Sequence, residues 1–195
     1  MLVLASSSPR RQELLRNAGI SFMVHPANIP ETGLPGESPK GYAERLAREK
    51  AEAVFPLDLE KFGLDKFVLG ADTIVLVDDE VLGKPHDAAD AGRMLRLLSG
   101  RSHRVITGVC LMGPGFVDVR SEITTVEMQK ISAKEIQAYV ATGEPMDKAG
   151  AYAIQGWASR WISRIEGDYF NVVGLPVSLV YRMLKEHGAL CKRRE

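Results

Sequence analysis

The segment 2–15 constrains the fold of this chain more than any other. It begins with a short apolar run, continues through three serines, a proline and two arginines, and then takes on helical spacing. Ser8 is a natural helix N-cap, and Pro9 suits the first helical position because its missing N–H would have no partner there. The sequence therefore predicts a strand over residues 2–5 that runs directly into a helix, with Gly19 as the C-terminal stop.

Two arginines, Arg10 and Arg11, stand in the first turn of this helix. The backbone N–H groups at a helix N-terminus lack helical partners and lie at the positive end of the helix dipole. Together with two guanidinium groups, they favour an anion and a phosphate in particular. The alternative interpretation is an ordinary helix start with two solvated arginines.

Composition narrows the class of protein. Apolar residues make up 45% of the 195 residues, and Lys+Arg and Asp+Glu number 25 each, so the net charge is zero. This balance argues against a general nucleic-acid binder or a basic membrane-surface protein. Cys110 and Cys191 form no CxxC pair, which argues against a disulfide framework and fits a reducing cytoplasm. No apolar run reaches the ~18 residues of a membrane span.

Helix and strand signals alternate along the chain, which predicts a mixed α/β fold with long central strands and two lobes around a cleft. We expect one domain over residues 1–195.

The charged residues from Arg45 to Glu52 are interpreted mostly as a solvated helix face. The further predicted helices lie at 39–54, 88–99, 133–141 and 176–186. The further predicted strands lie at 20–25, 67–69, 73–82 with a turn at Asp78-Asp79, 103–112, 116–128, 151–154 and 161–165. The connection 56–66 and a frayed tail, 191–195, complete the chain.

An acidic residue, Asp72, follows the apolar run 67–69 at what the pattern indicates is a strand end. Burial of a carboxylate in such surroundings is costly unless it is paired or binds a metal. Catalytic groups often lie at strand ends. The alternative is a turn aspartate that bonds its own backbone.

Two further segments carry polar residues next to glycine. Lys84 lies between Gly83 and a proline, and Lys148 and Gln155 flank a short predicted strand. Lys84 could contact a phosphate, and the Gln155 amide could bind a base edge because it offers both a donor and an acceptor. Each segment could equally be a structural turn. The GxxxxGK[ST] spacing of a P-loop is absent.

These residues converge on one chemistry. The basic side chains of Arg10, Arg11, Lys50, Lys84 and Lys148 suit a polyphosphate. The carboxylates of Glu31 and Asp72 suit a hard divalent ion such as Mg²⁺. The scattered histidines show no zinc-site spacing, and no GxSxG segment indicates acyl transfer.

Five segments in order resemble the Maf-like nucleoside triphosphate pyrophosphatases over nearly the whole chain. They are Ser6-x-Ser8-Pro9-Arg10-Arg11, Gly70-Ala71-Asp72-Thr73-Ile74-Val75, Gly83-Lys84-Pro85, Leu98-Ser99-Gly100-x-x-His103-x-Val105-x-Thr107-Gly108-Val109, and Asp147-Lys148-Ala149-Gly150-x-Tyr152-x-Ile154-Gln155-Gly156. The resemblance implies an α/β fold with an elongated mixed β-sheet flanked by helices. It also implies two lobes around a deep cleft, similar to the inosine triphosphate pyrophosphatases.

The resemblance further implies hydrolysis between the α- and β-phosphates, which yields a nucleoside monophosphate and pyrophosphate, with Mg²⁺ or Mn²⁺ as cofactor. Asp72 falls on the family's catalytic carboxylate and proton acceptor. Glu31 aligns with a glutamate that handles the metal or the water, so Glu31 and Asp72 are the candidate metal ligands. The phosphate-contacting positions fall on Ser6, Arg11, Lys50 and Lys84.

Arg10, Thr73 and Gln155 match the substrate-selecting positions of the branch that prefers dTTP and UTP. The related branch that acts on 7-methyl-GTP differs around 147–156. The resemblance thus implies a cytoplasmic enzyme of nucleotide-pool sanitation. It is compatible with a homodimer and implies neither nucleic acid nor a membrane as a partner. Two alternatives stay open: a pyrophosphatase directed at modified guanine or inosine nucleotides, and a non-enzymatic nucleotide-binding regulator of septum formation.

Overall fold

The computed structural model describes residues 1–56 and 66–190. Within them the strands are β1 (Leu2–Leu4), β2 (Met23–Val24), β3 (Phe67–Val77), β4 (Glu80–Leu82), β5 (Ser102–Gly113), β6 (Phe116–Met128) and β7 (Ile162–Glu166). The α-helices are α1 (Pro9–Asn17), α2 (Pro39–Val54), α3 (Ala88–Leu98), α4 (Ala133–Ala141), α5 (Tyr169–Val173) and α6 (Val177–Glu186). Short 3₁₀ helices lie at Glu144–Asp147, Ala149–Ala151 and Trp157–Trp161. The predicted mixed α/β class is confirmed.

The strands of the described part form one mixed sheet of 7 strands in the order β2-β1-β3-β5-β6-β7, with β4 paired to β3 outside this path. β1 lies parallel to both β2 and β3, and Leu4 is the register partner of Leu69. β4 and β7 are antiparallel to β3 and β6. Parallel pairing of β1 with β3 requires the long crossover that α1 and α2 supply.

Four helices begin where their capping residues predict. The Ser8 side chain accepts a hydrogen bond from the Arg11 N–H, Ser38 from Gly41, Asp87 from Asp90, and Ser132 from Glu135. The last of these is a complete capping box, since the Glu135 carboxylate also accepts from the Ser132 N–H at 2.9 Å. Each cap satisfies a backbone donor that the helix leaves open, which explains why these starts were predictable.

Two predicted strands are wrong in extent or kind. Only Met23 and Val24 of the predicted strand 20–25 are paired, and both side chains are exposed, so little burial supports a longer strand. Residues 151–154 form no strand, because the left-handed backbone of Gly150 and Ala151, with φ of 69° and 60°, turns the chain away from an extended path next to the short 3₁₀ segment Ala149–Ala151. The strand predicted over 73–82 with a turn at Asp78-Asp79 is confirmed as the end of β3, the turn and β4, whereas the predicted break between residues 69 and 73 is wrong because β3 is continuous there.

The segment after β7 forms the short helix α5, at whose start the Asp168 carboxylate accepts from the backbone N–H groups of Phe170 and Asn171. This local side-chain bond resembles an N-cap and favours a helix over an extended chain.

β3 is one continuous strand through Gly70, Ala71 and Asp72, where the sequence predicted a strand end. The glycine there serves close packing and not a turn. A Cβ on Gly70 would lie 2.1 Å from the Ala47 carbonyl oxygen of α2. Gly108 on β5 has the same relation to α2, with 2.2 Å to the carbonyl oxygen of Ala43. Asp72 therefore lies within a strand, and its surroundings are packed protein.

The chain divides into two compact units. The first comprises Met1–Asp72, Thr107–Glu122 and Gly174–Glu195, of which 57–65 and 191–195 lie outside the described residues. The predicted connection 56–66 and tail 191–195 thus fall mostly outside them. The second unit comprises Thr73–Ile106 and Ile123–Val173. The single domain stays a prediction.

Each unit has its own apolar core. The core of the first joins β1, α2, β3 and β5 through Val3, Ala5, Ala47, Ala51, Val54, Val68, Cys110 and Met112. The core of the second gathers α3, α4 and the long strands around Leu95, Leu98, Val126, Tyr139, Tyr152 and Trp161. Across the described residues, the helices are too short or too polar to cross a membrane.

Candidate active site

A buried ion cluster of Glu31, Lys50 and Asp72 marks the candidate site in the first unit. The Lys50 Nζ atom lies 2.6 Å from Asp72 Oδ1 and 2.6 Å from Glu31 Oε1. Lys50 and Asp72 are only 8% and 6% exposed, whereas the Glu31 side chain is 44% exposed. Burial of the Lys50–Asp72 pair is tolerable because each charge has an opposite charge in contact. The predicted polar residues Glu31, Lys50 and Asp72 thus come together.

Helix α2 places Lys50 in this cluster. Its buried residues follow helical spacing and are mostly small: Ala43, Leu46, Ala47, Lys50, Ala51 and Val54. Lys50 thus lies on the face that packs against the glycine positions of β3 and β5. The interpretation of 45–52 as a solvated face is wrong for Lys50, because the helical period assigns it to the apolar side.

The loop that carries Glu31 is fastened to the same helix. The Tyr42 hydroxyl donates to the Glu31 carbonyl oxygen at 3.0 Å. Arg45 donates to the Thr32 carbonyl oxygen at 2.9 Å and forms two bonds with the Glu37 carboxylate. Burial, with the carboxylates of Asp72 and Glu31 as further causes, raises the pKa of Tyr42, so its hydroxyl stays a donor. These bonds hold the backbone of Glu31 beside Lys50.

Arg11 braces the other side of Asp72. Its Nη1 donates to the Ala71 carbonyl oxygen at 2.9 Å and to Ser6 Oγ at 3.1 Å, and its Nε donates to the Gly174 carbonyl oxygen at 2.9 Å. Burial lowers the pKa of Arg11 below its usual range, although the Asp72 carboxylate opposes this. A guanidinium group stays protonated in proteins nonetheless, so Arg11 keeps a positive charge next to β3.

Ser6 completes this corner of the first unit. It is 8% exposed, and its hydroxyl accepts from both Arg11 and the Ser8 N–H, the latter at 3.3 Å. The predicted strand–serine–helix junction therefore does gather a serine hydroxyl and a guanidinium at the start of α1. Arg10, on the same helix turn, is half-buried.

The remaining predicted residues lie in the second unit. Thr73 is the residue after Asp72 on β3, so its side chain points to the opposite face of the strand. Lys84 is exposed in the turn after β4. Gln155 is exposed in an irregular loop and ends no strand. Lys148 donates to the Glu144 carbonyl oxygen and the Asp147 carboxylate, so it is a contact within this loop.

Sequence reasoning missed the main-chain part of the site. Nothing in the pattern indicated that the carbonyl groups of Ala71 and Gly174 accept from Arg11. One signal could have located Asp72 correctly, because an isolated glycine within a strand pattern often marks close backbone approach. Gly70 is such a glycine.

The arrangement suits a reaction that needs a carboxylate held next to positively charged side chains. The Asp72 carboxylate can accept a proton or bind a hard cation, and its position is set by Lys50 and by the Arg11 contact to the preceding carbonyl. Oxygen donors from two carboxylates suit Mg²⁺, which often takes only one or two protein carboxylates and completes its shell with water and phosphate. In the described part of the chain, no group of three or more His, Cys, Asp or Glu residues could hold a metal ion.

Comparison with known proteins places the chain in a family. A family model described as Maf-like protein matches residues 1–187. The chain belongs to this family.

Its relatives include three proteins named dTTP/UTP pyrophosphatase. One from Koribacter versatilis is 59% identical over 97% of this chain and 95% of its own. One from Syntrophomonas wolfei is 52% identical, and the match covers 98% of this chain and 100% of the relative. One from Symbiobacterium thermophilum is 53% identical, and the match covers 96% of this chain and 94% of the relative. The match to a solved nucleoside-triphosphatase, a dITP/XTP pyrophosphatase from Mycobacterium abscessus, covers 96% of this chain and 94% of the solved chain at 16% identity, with a TM-score of 0.41.

Proposed function

We propose that this chain hydrolyses nucleoside triphosphates, dTTP and UTP above others, to the monophosphate and pyrophosphate. The observation that carries the proposal is the buried contact between Lys50 and Asp72, with Glu31 on the same ammonium group. This contact supports a reaction in which a carboxylate orients a water molecule and accepts its proton next to a polyphosphate. The names of relatives with about half or more of their residues identical support the substrate.

Asp72 takes the role of base in this proposal. Its carboxylate orients the attacking water and accepts its proton, as a general base must when it lies within hydrogen-bonding reach. Lys50 holds the Asp72 carboxylate in place before the substrate arrives. The water attacks phosphorus, the bond to the bridging oxygen breaks, and pyrophosphate leaves without a covalent intermediate.

Cationic side chains neutralise the triphosphate. Lys50 and Arg11 of the first unit, with the Ser6 hydroxyl, are proposed phosphate contacts, and so is Lys84 of the second. The half-buried Arg11 donates to backbone oxygens as well as to Ser6, which supports a fixed orientation of its guanidinium group. Stabilisation of developing negative charge by preoriented donors is the largest effect expected in such a reaction.

A divalent metal, Mg²⁺ or Mn²⁺, is part of the proposal. Glu31 and Asp72 would hold it, since their carboxylate oxygens lie against one ammonium group and hard oxygen donors match such a cation. When bound, it would supply positive charge to the phosphate oxygens.

Arg10, Thr73 and Gln155 are the proposed substrate-selecting residues. The Gln155 side chain is exposed and can present both its donor and its acceptor to a pyrimidine edge. A role in nucleotide-pool sanitation, a cytoplasmic location and a homodimer belong to the same proposal.

One assay tests it. The purified protein is incubated with dTTP, UTP, dCTP, dATP, dGTP, dITP and 7-methyl-GTP, with Mg²⁺, with Mn²⁺ or with EDTA, and pyrophosphate is measured separately from orthophosphate. Pyrophosphate from dTTP and UTP that EDTA abolishes is the expected result. Pyrophosphate released chiefly from a purine nucleotide would show that the substrates are modified guanine or inosine nucleotides instead. Tight nucleotide binding without turnover would favour a non-enzymatic regulator of septum formation.

A further inference from the structure

The loop that carries Gln155 is held at two points within the second unit. From Lys148 to Trp161 it has only short 3₁₀ helices, and Gln155 lies between them in an irregular stretch. One contact holds the loop three residues before Gln155, and another holds it two residues after. An exposed side chain on such a segment has a defined position only if the backbone on both sides is fastened.

The first contact joins Tyr152 to His103 on β5. The Tyr152 Oη atom lies 2.6 Å from His103 Nε2, and the rings meet edge to face with centroids 5.3 Å apart. The two residues are 5% and 3% exposed. Burial lowers the pKa of His103 to about 4 and raises that of Tyr152, so both groups are neutral at physiological pH. A neutral buried pair of this kind holds one geometry without the cost of a buried charge.

The second contact is made by the Glu144 carboxylate. Its Oε1 accepts from the Tyr139 hydroxyl at 3.0 Å and from the Trp157 N–H at 3.3 Å. The Tyr139 ring also meets the rings of Trp157 and Trp161 edge to face, with centroids 5.9 and 5.3 Å apart. The residue after Gln155 is Gly156, with φ of 119°, and a Cβ there would lie 2.6 Å from Glu144 Oε1. The carboxylate therefore packs directly under the backbone that follows Gln155.

We propose that His103 and Glu144 are positioning residues for substrate selection, acting through Tyr152 and Trp157 to fix the Gln155 amide. The inference rests on the proposed function, in which Gln155 contacts the base. A polar group that is held in place discriminates between hydrogen-bonding patterns more sharply than a mobile one, because it cannot turn to pair with a mismatched base edge. Neither His103 nor Glu144 needs to touch the nucleotide.

The experiment uses hydroxyl deletions that keep ring packing. Tyr152→Phe removes the oxygen that meets His103, and Tyr139→Phe removes one donor to Glu144. Glu144→Ala removes the second contact altogether, and Glu144→Gln retains an oxygen that accepts from both donors. Tyr181→Phe, at a tyrosine that is 49% exposed, is the matched control. Gln155→Ala reports on the proposed function itself.

For each variant, kcat/KM is measured on dTTP, UTP and dCTP, and amide hydrogen exchange is measured over residues 153–160. We expect Tyr152→Phe and Glu144→Ala to lower the ratio of dTTP to dCTP by roughly 5- to 10-fold, the size typical of one lost hydrogen bond, and to speed exchange over the loop. Tyr139→Phe has a smaller effect in the same direction. Glu144→Gln and Tyr181→Phe keep the wild-type ratio.

The outcomes separate the two proposals. If Gln155→Ala abolishes the preference while Tyr152→Phe and Tyr139→Phe leave it and the exchange rates unchanged, the positioning roles are wrong and the role of Gln155 stands. If all variants lose turnover equally with an unchanged ratio, the contacts serve stability alone, which also overturns the inference. If the wild-type protein shows no preference, or Gln155→Ala retains it, the proposed role of Gln155 fails and this inference fails with it.

Discussion

The Nζ atom of Lys50 lies 2.6 Å from Oδ1 of Asp72, and both side chains are almost completely buried. Loss of one partner of such a pair leaves an uncompensated charge, which is far more costly than loss of a surface ion pair. The pair also joins helix α2 to the centre of strand β3. Substitutions here must therefore be chosen to preserve shape and hydrogen bonding if activity is to be separated from folding.

Asp72→Asn is expected to lower kcat on dTTP by about 10²-fold or more, because an amide cannot accept the proton of the attacking water. The amide oxygen can still accept from Lys50, so the protein should fold. Steady-state kinetics with a thermal unfolding curve tests this. Asp79→Asn, in the exposed turn between β3 and β4, is the matched control and should turn over like the wild type. Near-wild-type turnover of Asp72→Asn would contradict the assigned role.

Arg11→Lys is expected to lower kcat/KM by about 10-fold or more and to reduce stability. A single ammonium group cannot reproduce three bonds in different directions, to Ser6 and to the carbonyl oxygens of Ala71 and Gly174. Nucleotide kinetics and urea unfolding measure the two effects. Arg16→Lys, an exposed arginine on the same helix, should change neither. Equal behaviour of the two variants would show that the fork of hydrogen bonds is not required.

Gly70→Ala is expected to prevent folding or to lower the free energy of unfolding by roughly 3 kcal/mol or more, as severe overpacking does. The added Cβ would lie 2.1 Å from the Ala47 carbonyl oxygen, which belongs to helix backbone and cannot rotate away. Soluble yield and urea unfolding are the measurements. Gly83→Ala, where a Cβ meets nothing within 4 Å, is the control for stability. A folded Gly70→Ala protein with wild-type stability would show that β3 and α2 do not pack this closely.

The stability of the protein should fall between pH 7 and pH 5 partly through His103. Burial lowers the pKa of its imidazole from 6.5 to about 4, so the unfolded chain takes up a proton in this range and the folded protein does not. The free energy of unfolding therefore decreases as pH falls below about 6.5, by about 2 kcal/mol at pH 5 from this group alone.

Urea unfolding at pH 7 and pH 5 tests this, with His103→Gln as the comparison. The variant has no group that titrates at this position, so it should lose about 2 kcal/mol less than the wild type over the same interval. Equal losses in the two proteins would show that His103 is accessible to protons in the folded state.

Much of the fold could be predicted from the sequence because its cues are local. Ser8, Ser38, Asp87 and Ser132 each start a helix through a bond to a backbone N–H only three residues away. The long runs of strand-forming residues likewise located β5 and β6 to within about a residue at each end. These signals depend on a few neighbouring residues and are independent of how the rest of the chain packs.

The candidate site was predictable in its residue types more than in its architecture. The sequence pointed to Asp72, Lys50 and Glu31 as groups for phosphate and metal chemistry, and the structure brings these three together. The interpretation of Gly70–Asp72 as a strand end was wrong, since β3 continues through it. Glycine and aspartate close together in a sequence are typical of turns, and only the packing of α2 explains why Gly70 lies in a strand.

The sequence by itself determined where four of the helices begin, which strands are long, and which charged residues are candidates for the chemistry. The tertiary structure alone decided that Lys50 is buried against Asp72 and that Arg11 donates to the carbonyl oxygen of Gly174, 163 positions further along. The physical reason is the range of the interactions. A cap or an apolar period is satisfied within a few residues, whereas a buried ion pair or a guanidinium bound to distant backbone requires the packed chain to bring its partners together.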